Sequence, residues 1–275
     1  MYICTTKRKK TNKMTKDFNP IIFDAAFIER TKAEFATGKP YKHFVIDNFL
    51  NEDFANLLHD NFPTVEQLGK HYKGLNEKKS EGANFNDFHL AFTDLRNLLM
   101  SDKFAKLMAT LTGIEGVFVT DDNLGTGLHQ GGNGSFLDIH IDFNIHAEKN
   151  VHRRLNLLIY LNKNWLPEYN GDLEMWNADM TKLEKTVAPL FNRCCVFETN
   201  EISYHGYSKK LNLPENVTRK SIYSYFYTEI RDNSVAYHDT IFKARPEESI
   251  IKRVGTTIKE RLKNFIKAQL KKMRE

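Results

Sequence analysis

Hydrophobic and polar positions divide the chain into a helical front, a β-rich middle and a helical end. From 21 to 37 the apolar residues Ile22, Ala25, Ala26, Phe27 and Phe35 recur at turn spacing, and Gly38-Lys39-Pro40 ends the pattern. Residues 43–50 read as a strand. Residues 51–62 read as a helix, with Asn51 at the N-cap and Phe54, Leu57, Leu58 and Phe62 on one face. The polar stretch 70–87 reads as a loop. Residues 93–112 read as one helix or two, with Ser101 the candidate second cap.

After Gly113 the period shortens. Segments rich in β-branched and aromatic residues follow at 116–123, 136–146, 153–162, 171–177, 183–188, 192–199 and 218–229, separated by turn-forming "GTG", "GGNG", "YNGD" and "NLPEN". This predicts a β core of at least seven strands, a sandwich or barrel. Residues 257–273 return to helix. Their apolar stripe of Ile258, Leu262, Phe265, Ile266, Leu270 and Met273 is expected to pack on the core or on a second subunit. Three parts result: a basic, flexible segment over 1–19, a main domain over 20–230 (helical front 20–113, β core 114–230), and a basic helical extension over 231–275.

Composition adds limits. The chain has 275 residues and a net charge of +5. The basic excess sits at the two ends, among Lys7–Lys16 and Lys252–Arg274, and a solvated tail and helix face is the plainer reading of it. Three cysteines, two of them adjacent, offer neither a disulfide framework nor a zinc spacing. No apolar run reaches the roughly 18 residues of a membrane span, and no apolar segment follows the basic N-terminus as in a secretory signal. A cytoplasmic setting is the expectation.

Candidate chemistry lies in the middle. From Leu137 to His146 apolar and polar residues alternate, so Asp138, His140, Asp142, Asn144 and His146 share one strand face. His140 and Asp142 offer two metal ligands on that face, and a third must come from elsewhere. Three protein ligands leave open positions suited to Fe(II), O₂ and a co-substrate. His205, at the head of a turn after an apolar strand, can return to the first two. Arg219 and Ser221 share a face on the last core strand, and a buried guanidinium there needs a partner, for which a carboxylate has the right shape. His146 lies about 20 Å from His140 along a strand and reads as a rim residue. Asp138 reads as solvated or as a neighbour of the site. Arg153 and Arg154 point to opposite faces; Arg154 is the better functional candidate, and a surface arginine the plainer reading.

Together, His140-Ile141-Asp142, Tyr160-Leu161-Asn162, Gly171-Asp172-Leu173, His205 and Arg219-Lys220-Ser221 resemble the Fe(II)- and 2-oxoglutarate-dependent oxygenases, in their prolyl-4-hydroxylase-like branch. The resemblance spans about 40–229. It implies a mainly β fold with flanking helices (α+β), built on a double-stranded β-helix or jelly roll. It implies iron held by His140, Asp142 and His205, and 2-oxoglutarate bound by Arg219, Tyr160, Ser221 and Gln130. His129, Asn144, Trp176 and Tyr225 become candidates for the substrate pocket. The implied reaction is hydroxylation of an unactivated C–H bond with O₂, coupled to conversion of 2-oxoglutarate to succinate and CO₂, with ascorbate as assay reductant. The substrate is open: peptidyl-proline, a free amino acid or another small metabolite. Asp172 stands where the branch has a second glycine, and 209–216 reads as an inserted loop. The alternatives are a non-catalytic jelly-roll binding module, a zinc hydrolase that leaves Arg219 unused, and a nucleic-acid-modifying oxygenase. The last ranks low, since no aromatic-plus-basic pattern reads bases. Self-association through the C-terminal helix is a further expectation.

Overall fold

The computed structural model describes residues 15–230 and 236–272, with side chains to Lys263. Most of the basic segment 1–19 therefore lies outside the described residues. The first helical pattern is split by Asp24. A 3-10 turn covers Pro20–Phe23, and α1 runs Ala25–Thr37, its first amides capped by the Asp24 carboxylate. Strand β1 is His43–Ile46, shorter than the sequence suggests, and α2 is Glu52–Asp60, capped by Asn51. Two helices, α3 (Leu90–Leu99) and α4 (Asp102–Thr112), occupy the stretch that reads as one helix or two. Ser101 separates them by accepting a hydrogen bond from the Phe104 amide, 3.3 Å away.

The polar stretch 70–87 is not simply a loop. It holds the hairpin of β2 (Lys70–Lys73) and β3 (Glu77–Gly82). Its strands carry no apolar alternation because the inward side chains of β3 are charged, so periodicity could not show them. Next come β4 (Thr126–Gly131) and β5 (Phe136–Ile141). β4 was hidden by its glycines. At Gly127 a Cβ would sit 2.2 Å from the Tyr223 hydroxyl, so the residue is required by close approach. The predicted strand over 116–123 is absent, apart from one bridge of Phe118 to Tyr227. Instead Val117 and Val119 join the helical core.

The remaining strands are β6 (Val151–Tyr160), β7 (Leu173–Trp176), β8 (Leu183–Val187), β9 (Arg193–Glu198), β10 (His205–Tyr207), β11 (Arg219–Glu229) and β12 (Ile241–Phe242); α5 (Ile250–Lys272) follows. One curled antiparallel sheet results, ordered β1-β9-β6-β11-β4-β3-β5-β10-β7-β8. β2 adds to β3 and β12 to β5. This is the jelly-roll architecture expected.

Long strands β6 and β11 tie the two sides of the molecule together. On one face Leu155, Leu157, Ile159, Ile222 and Phe226 pack under the helices, with Phe54, Phe92 and Phe104 above them. On the other face Asn156, Leu158 and Tyr160 pair with Tyr225, Tyr223 and Ser221. Phe104 is the keystone of the apolar side. It stacks on Phe18 at 4.4 Å and meets Phe49 and Phe226 edge-on at 5.9 Å.

Over its described part the apolar stripe of α5 does not pack on the core. Ile258 and Leu262 are exposed, as are Ile250 and Val254, while Thr256 and Glu260 are buried. The helix docks by its polar side: Thr256 accepts from Asn76, and Lys259 donates to Asn76. The side chains of Phe265, Ile266, Leu270 and Met273 lie outside the described residues. No described helix is long and apolar enough to cross a membrane.

Phe104→Ala is expected to cost about 3–5 kcal/mol of stability, because three aromatic contacts are lost into a cavity. Chemical denaturation of the full chain measures it; a change below about 1 kcal/mol would show that the Phe cluster does not anchor the sheet.

Candidate functional site

β5 and β10 bring the first two histidines together. His140 and His205 are direct cross-strand partners, with ring centroids 4.4 Å apart. Each ring is fixed by its own backbone turn: His140 Nδ1 donates to the Asp138 carbonyl (2.8 Å) and His205 Nδ1 to the Ser203 carbonyl (2.9 Å). Both Nε2 atoms are thereby left with a lone pair facing inward. Asp142 completes the group. Its Oδ1 is 3.6 Å from His140 Nε2 and its Oδ2 is 3.4 Å from His205 Nε2. One nitrogen or oxygen from each residue lies within 4.8 Å of the others. Such a trio of buried donors, with tautomers already set, fits a divalent transition metal.

The strict alternation from Leu137 is broken here. Between Tyr207 and His205 the register against β5 slips, so that Leu137 and His140 face the same way. Asp138 is thereby turned outward. Its buried carboxylate accepts from Asn76 (3.1 Å) and pairs with Lys252 of α5 (2.9 Å). His146 is fully buried rather than at the rim, and contacts Asp122 at 2.9 Å.

A second bulge decides the arginine. Tyr225 pairs with Asn156, but Tyr227 pairs with Arg153, so β6 carries one extra residue. Arg153, not Arg154, faces inward. It is 1% exposed, and its Nη2 lies 2.7 Å from Asp142 Oδ2. Burial alone would raise the Asp142 pKa; Arg153 first, then His205 and His140, outweigh it and hold the carboxyl well below the usual range. No sequence signal told Arg153 from Arg154, because the extra residue exists only in the pairing.

Arg219 opens β11 on the same face. It is buried, its Nε donates to the Gly171 carbonyl (2.8 Å), and its guanidinium lies 4.2 Å from the Tyr207 ring and 5.1 Å from Tyr160. Gly171 has φ +84°, and a Cβ there would sit 2.6 Å from Leu211, so the close approach needs glycine. The Tyr160 hydroxyl is buried without a partner, and Ser221 pairs with both Tyr160 and His129 across the strands. An arginine, a hydroxyl donor and a serine on one buried face fit a carboxylate. The loop 209–216 covers this end, with Leu211 and Leu213 packed on Trp165 and Tyr207.

Three sequence candidates fall elsewhere. Gln130 pairs with Lys220 on the opposite face and donates to Thr218 (2.9 Å), so it cannot reach the carboxylate end. Asn144 is consumed by backbone, accepting from His238 (2.9 Å) and donating to Ala236 (2.8 Å). Trp176 packs with Ile139 and Met180 behind β5 and donates to Glu174. Tyr225 does line the cavity, about 190 Å³ in volume, beside Leu137, Phe143, Leu158, Tyr223 and Phe242.

The missed hairpin and C-terminal arm supply the rest of the wall. Glu77 and Lys79 of β3 line the same cavity, and so do Thr240 and Phe242. Phe242 pairs with His140, its ring 5.3 Å away. Behind Lys79, His129 is half-buried; loss of solvent first, then the Lys79 ammonium, brings its pKa down to about 4. The two adjacent cysteines are both buried, and burial pushes the Cys195 thiol up to about 12.

Residues 126–227 match the family model of the 2OG-Fe(II) oxygenase superfamily. Mouse prolyl 3-hydroxylase OGFOD1 is 25% identical over 194 residues, which cover 68% of this chain and 33% of that protein, so the chain spans about a third of its length. A prolyl-4-hydroxylase from Pseudomonas putida superimposes with a TM-score of 0.51 at 17% identity, covering 72% of this chain and 99% of that one. HygX from Streptomyces hygroscopicus, solved with nickel and 2-oxoglutarate, gives a TM-score of 0.50 at 12% identity, covering 76% and 96%.

Two outcomes follow. His129 sits near 4, below its ordinary 6.5, so the unfolded chain binds its proton first as pH falls. Its contribution is complete above 6.5 and is lost down to about 4; equilibrium denaturation across that window should show stability falling, and His129→Gln should flatten the slope. The arm is held by a polar latch through Asn76. In Asn76→Ala, hydrogen exchange of 236–263 should rise at least fivefold while β6 and β11 stay protected; equal protection would show the latch to be idle.

Proposed function

We propose that the chain is an oxygenase of the 2OG-Fe(II) superfamily, as the match of residues 126–227 to that family's model supports, and that it hydroxylates an unactivated C–H bond. The observation that carries this is the pairing of two buried sites on one sheet face: the His140, Asp142 and His205 trio, and the Arg219 and Tyr160 end. A hydrolase would use the first and leave the second idle.

In this reading His140 Nε2, Asp142 Oδ1 and His205 Nε2 hold Fe(II), and Arg219, with Tyr160 and Ser221 beside it, holds the distal carboxylate of 2-oxoglutarate. The metal, when bound, supplies the coupling of O₂ and 2-oxoglutarate conversion to succinate and CO₂ with substrate oxidation. The chain's own residues bind, orient and exclude water. The backbone carbonyls of Asp138 and Ser203 accept from Nδ1 of each ring and so select the tautomer in which Nε2 is the acceptor. The buried guanidinium of Arg219 favours a dianionic co-substrate, and among the described residues no carboxylate forms an ion pair with it. Leu137, Leu158, Tyr223 and Tyr225 form the apolar part of the cavity wall, and Glu77, Lys79 and Asn156 its polar part.

The substrate is a peptide or a small molecule. The names of two relatives support trying a prolyl residue first. A cytoplasmic setting fits the two buried free thiols.

With Fe(II), ascorbate and 2-oxoglutarate the protein should form succinate. His140→Ala and Asp142→Ala should lower the rate at least a hundredfold. Arg219→Ala should raise the KM for 2-oxoglutarate at least tenfold with metal affinity unchanged. Absence of 2-oxoglutarate binding at millimolar concentration by the metal-loaded protein overturns the proposal.

A further inference from the structure

Arg153 is the least expected residue near the metal trio, and its contacts are lopsided. Its Nη2 reaches Asp142 Oδ2 at 2.7 Å, yet its Nε and Nη1 are buried with no hydrogen-bond partner among the described residues. An arginine present only to neutralise a buried carboxylate would use two N–H groups on two oxygens. Here a second donor, Asn156 Nδ2, arrives on the same Oδ2 at 3.2 Å. Oδ1 is left facing His140 Nε2. The guanidinium is prevented from rotating to a two-oxygen grip by its aromatic walls, with Tyr225 3.4 Å from Cζ and Phe143 4.7 Å away.

We propose that Arg153 is a positioning residue that keeps Asp142 a one-oxygen ligand, and so preserves the coordination positions that the co-substrate takes. The inference rests on the oxygenase reading above. A carboxylate oxygen has about two lone-pair sites, and two N–H donors fill those of Oδ2. Chelation by both oxygens would have to break these bonds. Octahedral Fe(II) with three protein donor atoms keeps three open positions, enough for a two-point keto acid and O₂. A fourth donor atom from Asp142 would leave only two. The β6 bulge is therefore more than a local irregularity: it selects Arg153 over Arg154 for this task.

Cobalt(II) in the full-length protein provides the test. Arg153→Met should still bind Co(II), but its visible absorption should change, and the Kd for 2-oxoglutarate by calorimetry should rise at least tenfold. Arg153→Lys should return to within about threefold of the parent, and Asn156→Leu should rise about threefold. The Asn156 variant also serves if Arg153→Met fails to fold. Unchanged Co(II) absorption together with unchanged 2-oxoglutarate affinity in the variants overturns the role. If the parent binds Co(II) but not 2-oxoglutarate, the oxygenase reading fails instead, and the Arg153 role is decided by the absorption alone: altered in the variants supports it, unaltered overturns it.

Discussion

A carboxylate taken out of water must be paired, and the placement of Asp142 follows from that constraint. Its side chain is 9% exposed, with two imidazoles, one guanidinium and one amide around it. Removing any one of these groups alone would leave a buried charge or a buried dipole short of partners. The four partners come from β5, β10 and β6, so the charge can only be satisfied once three strands have met. Site assembly and sheet closure are in this sense one event.

That meeting needs rigid strands, and the opposite faces of the same strands provide it. Each residue of β6 that looks into the cavity has a neighbour that looks into the phenylalanine cluster under the helices. Packing at near-crystal density on one side fixes the rotamers on the other. The helices of the front are therefore the stiff backing of the site, though none of them contributes a residue to the cavity's lining.

The basic C-terminus has a structural use. Lys252 pairs with Asp138 of β5, Lys259 binds Asn76 between β2 and β3, and Lys263 donates to the Thr240 carbonyl just before β12. Part of the charge that could suggest an anionic partner is thus spent in holding the arm against β5. The same contact links the arm to the metal trio, since Asp138 offers its carbonyl to His140 and its carboxylate to Lys252. Phe242 extends that link into the cavity wall.

Much of this was legible in the chain itself, for a local reason. The helices with caps at Asn51 and Ser101, the strand period after Gly113, and the spacing of His140 with Asp142 depend on neighbours in sequence. So did the choice of Arg219 and His205, whose type and setting on apolar strands admit few roles. What the chain could not show depends on pairing. Strand β3 carries charge where a lone strand would carry apolar residues, because its Glu77 and Lys79 line the cavity, and β2 only adds to its edge. Two bulges reverse side-chain facing, sending Asp138 outward and Arg153 inward, and a one-residue slip leaves no mark in composition or period. Gln130 and Trp176 were misplaced because which face a strand residue uses is set by the partner strand, and Asn144 because it lies beyond β5 and is taken up by the backbone at Ala236 and His238. The sequence by itself determined which residues could do chemistry; only the tertiary structure decided which way they point, because facing is a property of register between strands far apart in the chain.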